Sequence, residues 1–339
     1  MFFKGKYGPM LIAEIGGNHE GDFVYANDLT DMALDSKADV VKFQIYTPDS
    51  LVNKNFDLNR YEHFKKFTLS IDQHLQLAEK CIKHDKKYLA SVWDPSVIDL
   101  ISEKMDFFKI GSGDLTAFNI IDQIVKKGKP IIISTGLASY EEVVRTIKFI
   151  QNREEKYLNR DMLAVLQCTS MYPNKESNVN LKVMKMFEKN MGVTVGYSDH
   201  TEDLEALYLA SIFGARVLEF HFTDTKKDKT FRDHKVSLTK NDLEALINKI
   251  HRSVKILGDD KKIPTKSEVD SNHITTFRRG LFLNKNMKKG SVITKEDVVS
   301  LRPNIGLDAS NYFNIIGKKI NQDISRLDKL KIEMFESLR

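Results

Sequence analysis

Residues 193–221 read VTVGYSDHTEDLEALYLASIFGARVLEFH, and their rhythm decides the fold. Two short runs rich in β-branched and aromatic residues, VTVGYS (193–198) and ARVLEF (215–220), flank DLEALYLASIF, whose apolar residues recur at helical spacing. Short buried runs on either side of an amphipathic helix predict a strand–helix–strand unit with parallel strands. The same rhythm continues upstream. MLIAEI (10–15), DVVKFQ (39–44), KYLASV (87–92), FFKIGS (107–112), PIIIST (130–135) and MLAVLQ (162–167) are each followed by a helix-like stretch. Eight such units in about 255 residues predict a (β/α)8 TIM barrel of the α/β class. A doubly wound open sheet is the competing architecture. The first strand–helix turn, Gly16-Gly17-Asn18-His19, lacks the GxGxxG dinucleotide fingerprint.

The rhythm stops near Leu257. Gly258-Asp259-Asp260-Lys261-Lys262 is charged and turn-rich and reads as a linker. Beyond it, LFLNKN (281–286), the Lys288-Lys289-Gly290 turn and TKEDVVSLRP (294–303) predict a small, mostly β module. The expected division is a barrel at 1–257, a linker at 258–271 and the module at 272–339.

Composition narrows the function. The formal net charge over 339 residues is +5. That is mild, and no basic block stands out, which suits an anionic small molecule better than a nucleic acid. No apolar run approaches the ~20 residues of a membrane helix, and MFFKGKYGPM has no signal-peptide core. Cys81 and Cys168 stand far apart without a CxxC pattern, which argues against a disulfide scaffold or a cysteine zinc site. The expectation is a soluble cytoplasmic protein.

Barrel active sites form at the carboxyl ends of the strands, and side chains on one face recur every second residue. That filter selects Glu14 with Asn18, His19 and Glu20 beyond it, Lys42 and Gln44, and Lys109 with Ser112 and Asp114. It also selects Ser134-Thr135-Gly136, then Gln167, Thr169, Ser170 and Tyr172, then Ser198 and His200, and Glu219 and His221. Charges converging on one rim are costly filler. His200 and His221 suit a divalent metal with open positions for water and substrate; they also read as hydrogen-bonded core histidines. Lys42 and Lys109 could hold a phosphate or carboxylate, serve as a Schiff-base nucleophile, or pair with Glu14 or Glu219. Arg302-Pro303, before Gly306, reads as a carboxylate clamp or as a solvated turn.

Taken in order, Ala13-Glu14-Ile15-Gly16-x-Asn18-His19-x-Gly21, Val41-Lys42-Phe43-Gln44, Lys109-Ile110-x-Ser112-Gly113, Ser134-Thr135-Gly136, Cys168-Thr169-x-x-Tyr172-Pro173, Gly196-Tyr197-Ser198-Asp199-His200-Thr201 and Glu219-x-His221-Phe222-Thr223 resemble the sialic acid synthase family. That family comprises N-acetylneuraminate synthase and its legionaminic and pseudaminic acid relatives. Arg278-Arg279, the Lys288-Lys289-Gly290 turn, Arg302-Pro303 and Gly317-Lys318-Lys319 resemble its antifreeze-like (SAF) domain. The resemblance implies condensation of phosphoenolpyruvate with an N-acylated amino sugar, a divalent metal (Mn2+, with Mg2+ or Co2+ as alternatives), and a homodimer in which each SAF domain caps the other subunit's barrel. It assigns His200 and His221 to the metal. Lys42, Lys109, Ser112, Ser134 and Ser198 fall to phosphoenolpyruvate, with a further hydroxyl from Ser91 and with Ser170 beside the site. Glu14, Gln44, Tyr172 and Asp233 fall to the sugar, Glu219 to acid–base chemistry, and Arg302, across the dimer, to the N-acyl group. Nucleic acid and membrane partners are not expected.

Four departures bear on the sugar's identity more than on the reaction. Ala90-Ser91-Val92-Trp93 stands where the family usually has Ser-Thr-Pro-Phe, and Asn304 stands where a Gly follows Arg-Pro. Gly280 follows Arg278-Arg279 in place of Ser, and the loop from about 46 to 70 is short. Asp233-His234-Lys235-Val236-Ser237 is similar to the form common in the legionaminic and neuraminic branches.

Overall fold

The structure, a computed structural model, describes residues 2–336. The chain forms two compact units, Met1–Gly258 and Asp259–Arg339. Eight strands build the first: β1 (Met10–Glu14), β2 (Val40–Ile45), β3 (Lys87–Val92), β4 (Phe108–Ile110), β5 (Ile131–Ser134), β6 (Leu163–Cys168), β7 (Thr194–Ser198) and β8 (Val217–Phe222). Each pairs in parallel with the next, and β1 pairs with β8, which closes an eight-stranded α/β barrel. Every apolar run of the sequence holds one strand. The last runs two residues beyond its apolar run, so His221 lies within β8. A two-residue strand, β9 (Ser237–Leu238), lies beside the end of β8 and pairs Ser237 with His221.

Burial on both faces explains why these strands read as near-continuous apolar runs. Ile131, Ile132 and Ile133, for example, are all inaccessible to solvent. The outer helices start where a side chain can accept the free first-turn N–H groups. Asp22 accepts from Val24 and Tyr25, and Ser70, Ser139 and Thr239 each close a capping box. Such caps contribute about 1 kcal/mol apiece. Among the described residues, no helix is long and apolar enough to cross a membrane.

Register sets the site. Glu14 lies opposite Lys42, Gln44 opposite Ser91, Ser91 opposite Lys109, Ser198 opposite Glu219, and Glu14 opposite His221. The ladder thus gathers the polar residues at the carboxyl ends of neighbouring strands.

The second unit pairs β10 (Gly280–Leu283) with β11 (Val298–Leu301) in antiparallel fashion. It packs Leu281, Leu283, Ile293, Ile315, Ile320 and Leu330 into its own core. The stretch read as a linker holds a short helix, Lys266–Asp270, with Thr265 in a capping box at its start.

Candidate active site

A cavity of about 1200 Å³ opens at the carboxyl ends of the strands. Its floor is an ionic relay. Lys42 Nζ donates to Glu14 Oε2 and lies 3.6 Å from Glu219, and Lys109 Nζ lies 3.6 Å from Glu219 on the other side. Gln44 donates to the second Glu14 oxygen at 3.0 Å. Lys109 also donates to Ser134 Oγ at 2.7 Å and to the Ile110 carbonyl at 3.1 Å. Ser198 donates to Glu219 at 2.9 Å. Ser112 Oγ accepts the Gly136 N–H at 3.0 Å.

Both lysines are almost fully buried, yet their pKa values move in opposite directions. Burial opposes the charge of each. At Lys42 the carboxylates of Glu14 and Glu219 outweigh it, and the pKa rises. At Lys109 burial prevails over Glu219, with Lys42 adding like-charge repulsion, and the pKa falls. Burial likewise opposes ionisation of Glu219, but Lys109 and Lys42 hold its carboxyl well below the usual range.

Above the floor, the His200 and His221 rings lie 5.5 Å apart, with Tyr172 4.0 Å from the first and 5.7 Å from the second. His200 Nδ1 lies 2.9 Å from the Thr169 carbonyl. A proton on that nitrogen makes the bond, so a ligand would approach Nε2. Burial opposes the charge of His200, but Cys168, 3.8 Å from Nδ1, lifts its pKa to about 9. A cation there would displace a proton. Burial lowers the pKa of His221, which favours the neutral, ligating form. Its buried Nδ1 has no hydrogen-bond partner among the described residues and lies 3.8 Å from the Asp233 carboxylate. Among the described residues, no three of His, Cys, Asp and Glu gather as a metal cage. The two neighbouring imidazoles could serve as two ligands of a cation whose other positions come from water or substrate.

Of the further residues selected by strand parity, Asp114 lines this cavity, whereas Asn18, His19, Glu20, Thr135, Gly136, Gln167 and Thr169 are not among its lining residues. Of the fifteen given a role by the resemblance, fourteen line it: Glu14, Lys42, Gln44, Ser91, Lys109, Ser112, Ser134, Ser170, Tyr172, Ser198, His200, Glu219, His221 and Asp233. The fifteenth, Arg302, belongs to the second unit, where its guanidinium lies 5.6 Å from the Phe277 ring centroid. Part of the wall comes from the loop of about 46 to 70 that bears on the sugar's identity, but its residues are not singled out by the sequence. The helix Leu58–Phe67 contributes Arg60, His63, Phe64 and Phe67, and the loop after β8 contributes Phe231 and Arg232. Phe231 packs on Phe67 at 4.7 Å, and His63 stacks on Phe67 at 4.5 Å. A β-carbon on Gly17 would press on the Phe231 ring at 3.0 Å, so this contact needs the glycine. Asn18, beyond the end of β1, donates to the Phe222 carbonyl and to Ser237 Oγ, both at 2.9 Å. Ser237 in turn donates to the Asp233 carbonyl at 2.7 Å, which ties down the turn presenting Asp233.

A family model described as the NeuB family matches residues 29–262. The chain belongs to the sialic acid synthase (NeuB) family. It is 34% identical over 340 residues to N,N'-diacetyllegionaminic acid synthase of Legionella pneumophila, covering 96% of this chain and 94% of that one. It is 32% identical over 335 residues to pseudaminic acid synthase of Campylobacter jejuni, covering 95% of each. A crystal structure of N-acetylneuraminic acid synthetase from Leptospira borgpetersenii, in complex with citrate, superposes with a TM-score of 0.69 at 27% identity, over 79% of this chain and 91% of that one. The chain is thus a condensing synthase of the transferase class. In this synthase the floor residues come from strands and the wall from the segments that follow β2 and β8, short helices included.

Proposed function

We propose that the synthase condenses phosphoenolpyruvate with the open-chain aldehyde of an N-acylated amino sugar, either N-acetylmannosamine or a diacetamido-trideoxyhexose. The products are a nine-carbon 2-keto-3-deoxy acid and inorganic phosphate. One observation carries the reading: two buried lysine ammonium groups at the bottom of a polar cavity, bordered by the hydroxyls of Ser134 and Ser198, with Ser112 also lining it. An anionic donor suits that setting, because few arrangements tolerate two sealed lysines without a charge-bearing task.

In this reading Lys42, Lys109 and the hydroxyls of Ser112, Ser134 and Ser198 bind phosphoenolpyruvate, with Ser91 and Ser170 at the edge of its site. Gln44, Tyr172 and Asp233 orient the sugar. C3 of phosphoenolpyruvate attacks the aldehyde carbon, and the aldehyde oxygen takes a proton and becomes a hydroxyl. Water adds at C2, relaying a proton through Glu14 or Glu219. The C2–O bond then breaks, C2 becomes the ketone, and phosphate leaves with the remaining proton. A divalent cation (Mn2+, or Mg2+ or Co2+) bound by His200 and His221 would supply polarisation of the aldehyde. The chain works in the cytoplasm as a homodimer. Its second unit acts as an SAF-type cap, so that Arg302 of the partner subunit holds the N-acyl group.

The test is phosphate release from phosphoenolpyruvate with a panel of N-acylated hexosamines, before and after chelation and with manganese restored. Sugar-dependent release that chelation abolishes is expected, with His200→Ala and His221→Ala losing both turnover and calorimetric manganese binding. Absence of turnover with every sugar would sink the reading. The lowered pKa of Lys109 favours one rival, a Schiff-base aldolase. Borohydride trapping with pyruvate separates the two, and no adduct is expected.

A further inference from the structure

Two groups at the β3–β4 side of the cavity take no part in the reaction above. Trp93 is the chain's single tryptophan. Its ring stacks on Tyr46 at 5.4 Å and meets Phe64 edge-on at 6.4 Å, and its backbone N–H donates to the Ile45 carbonyl at 2.8 Å. Ring and backbone are therefore fixed. The indole Nε1 is nevertheless buried without a hydrogen-bond partner among the described residues. Such an orphan donor is uncommon in a folded protein and calls for an acceptor.

Asp114 ends the short turn Ser112–Asp114 and lines the same cavity. Burial and the opposing charge of Lys109 act on its carboxylate. Gly111 brings the two together. From the point where a β-carbon on Gly111 would lie, Trp93 Nε1 is 3.5 Å away, Asp114 Oδ2 3.8 Å and Ser91 Oγ 4.0 Å. An indole donor without a partner among the described residues and a carboxylate thus border one small space, at whose rim lies Ser91 Oγ, the hydroxyl placed above at the edge of the phosphoenolpyruvate site.

We propose that Trp93 and Asp114 form a subsite that reads an amide of the acceptor sugar, the indole N–H donating to the amide carbonyl and the carboxylate accepting the amide N–H. The inference rests on the condensation reading and extends it. Arg302 of the partner subunit takes one N-acyl group there, so a second amide reader means that the preferred acceptor carries two. Burial pushes the Asp114 pKa up to about 6, and a donor beside the carboxylate favours its charged form. A site built to pair with an amide discriminates strongly against an acceptor that lacks it, since its own polar groups are then left unpaired.

The experiment compares kcat/KM for a diacetamido-trideoxyhexose and for N-acetylmannosamine in wild type, Trp93→Phe and Asp114→Asn. The wild-type preference for the diacylated sugar should shrink about tenfold in each variant, with KM for phosphoenolpyruvate changed less than about twofold. An unchanged preference in both variants overturns the subsite. Should Trp93→Phe fail to fold, Asp114→Asn alone decides the question. A second readout needs no turnover. Because Trp93 is the single tryptophan, its emission should change saturably when the diacylated sugar is added without phosphoenolpyruvate, and Asp114→Asn should weaken that binding about tenfold. If wild type turns over neither sugar, the condensation reading fails on its own account. In that case an emission unmoved by the diacylated sugar also removes the subsite, whereas a saturable change retains it.

Discussion

The floor and the wall of the cavity are built on different principles. The floor is ionic and strand-borne: Glu14, Lys42, Glu219 and Lys109 come from four strands of one closed sheet, and in that order each lies against the next. The wall is largely aromatic and loop-borne: Tyr46, Phe64, Phe67, Trp93 and Phe231 come from connecting segments and hold one another by ring contacts. Backbone ladders fix the floor to within the register of the barrel. Stacked rings leave the wall free to change while the barrel stays as it is. Under the proposed function, reaction chemistry falls to the rigid element and acceptor choice to the adjustable one.

The largest expected effect comes from breaking the floor. Lys42→Met leaves Glu14 and Glu219 short of a buried partner, and removing one member of a buried pair typically costs about 3–5 kcal/mol. Denaturant unfolding should show that loss, and phosphate release should fall on the order of a thousandfold. A stable, active Lys42→Met enzyme would remove the floor from the account.

Acid tests the scaffold that carries the floor. His74 lies in the helix Ile71–Lys83, its Nδ1 2.9 Å from the Tyr88 hydroxyl, and burial drops its pKa from 6.5 to about 3. The unfolded chain therefore binds a proton that the folded chain refuses. Stability is fully present above pH 6.5 and declines as pH falls toward 3. By pH 4.5 this one group should have removed about 3 kcal/mol. Unfolding free energies measured across that interval should decline, and His74→Gln should flatten the decline. Equal slopes in the two proteins would contradict the assignment.

The smallest effect belongs to the wall. Phe231→Leu keeps an apolar side chain but loses the ring contact with Phe67, at a cost of about 1 kcal/mol. KM for the sugar should rise severalfold while KM for phosphoenolpyruvate holds. A change confined to phosphoenolpyruvate would reverse the roles given to floor and wall.

The same contrast governs what could be read from the amino-acid order. Strand periodicity exposes the floor directly. Lys42 and Gln44, Ser198 and His200, and Glu219 and His221 stand two apart at the ends of apolar runs, so parity alone groups them on one face. The wall has no such period. Phe67 and Phe231 are separated by more than half of the barrel sequence and meet because the loops after β2 and β8 flank β1. In the sequence Trp93 is visible only as a departure from the family's usual Phe; its buried Nε1 shows once Gly111 and Asp114 are placed beside it. The helix Lys266–Asp270 was hidden by its length, because five residues in a charged stretch carry no amphipathic period.

The central claim is that water attacks C2 of phosphoenolpyruvate above a floor that leaves the phosphorus untouched. Turnover in water enriched in heavy oxygen, read by phosphorus NMR, tests it directly. The account predicts that the released phosphate carries no solvent oxygen, and label appearing in the phosphate would contradict it.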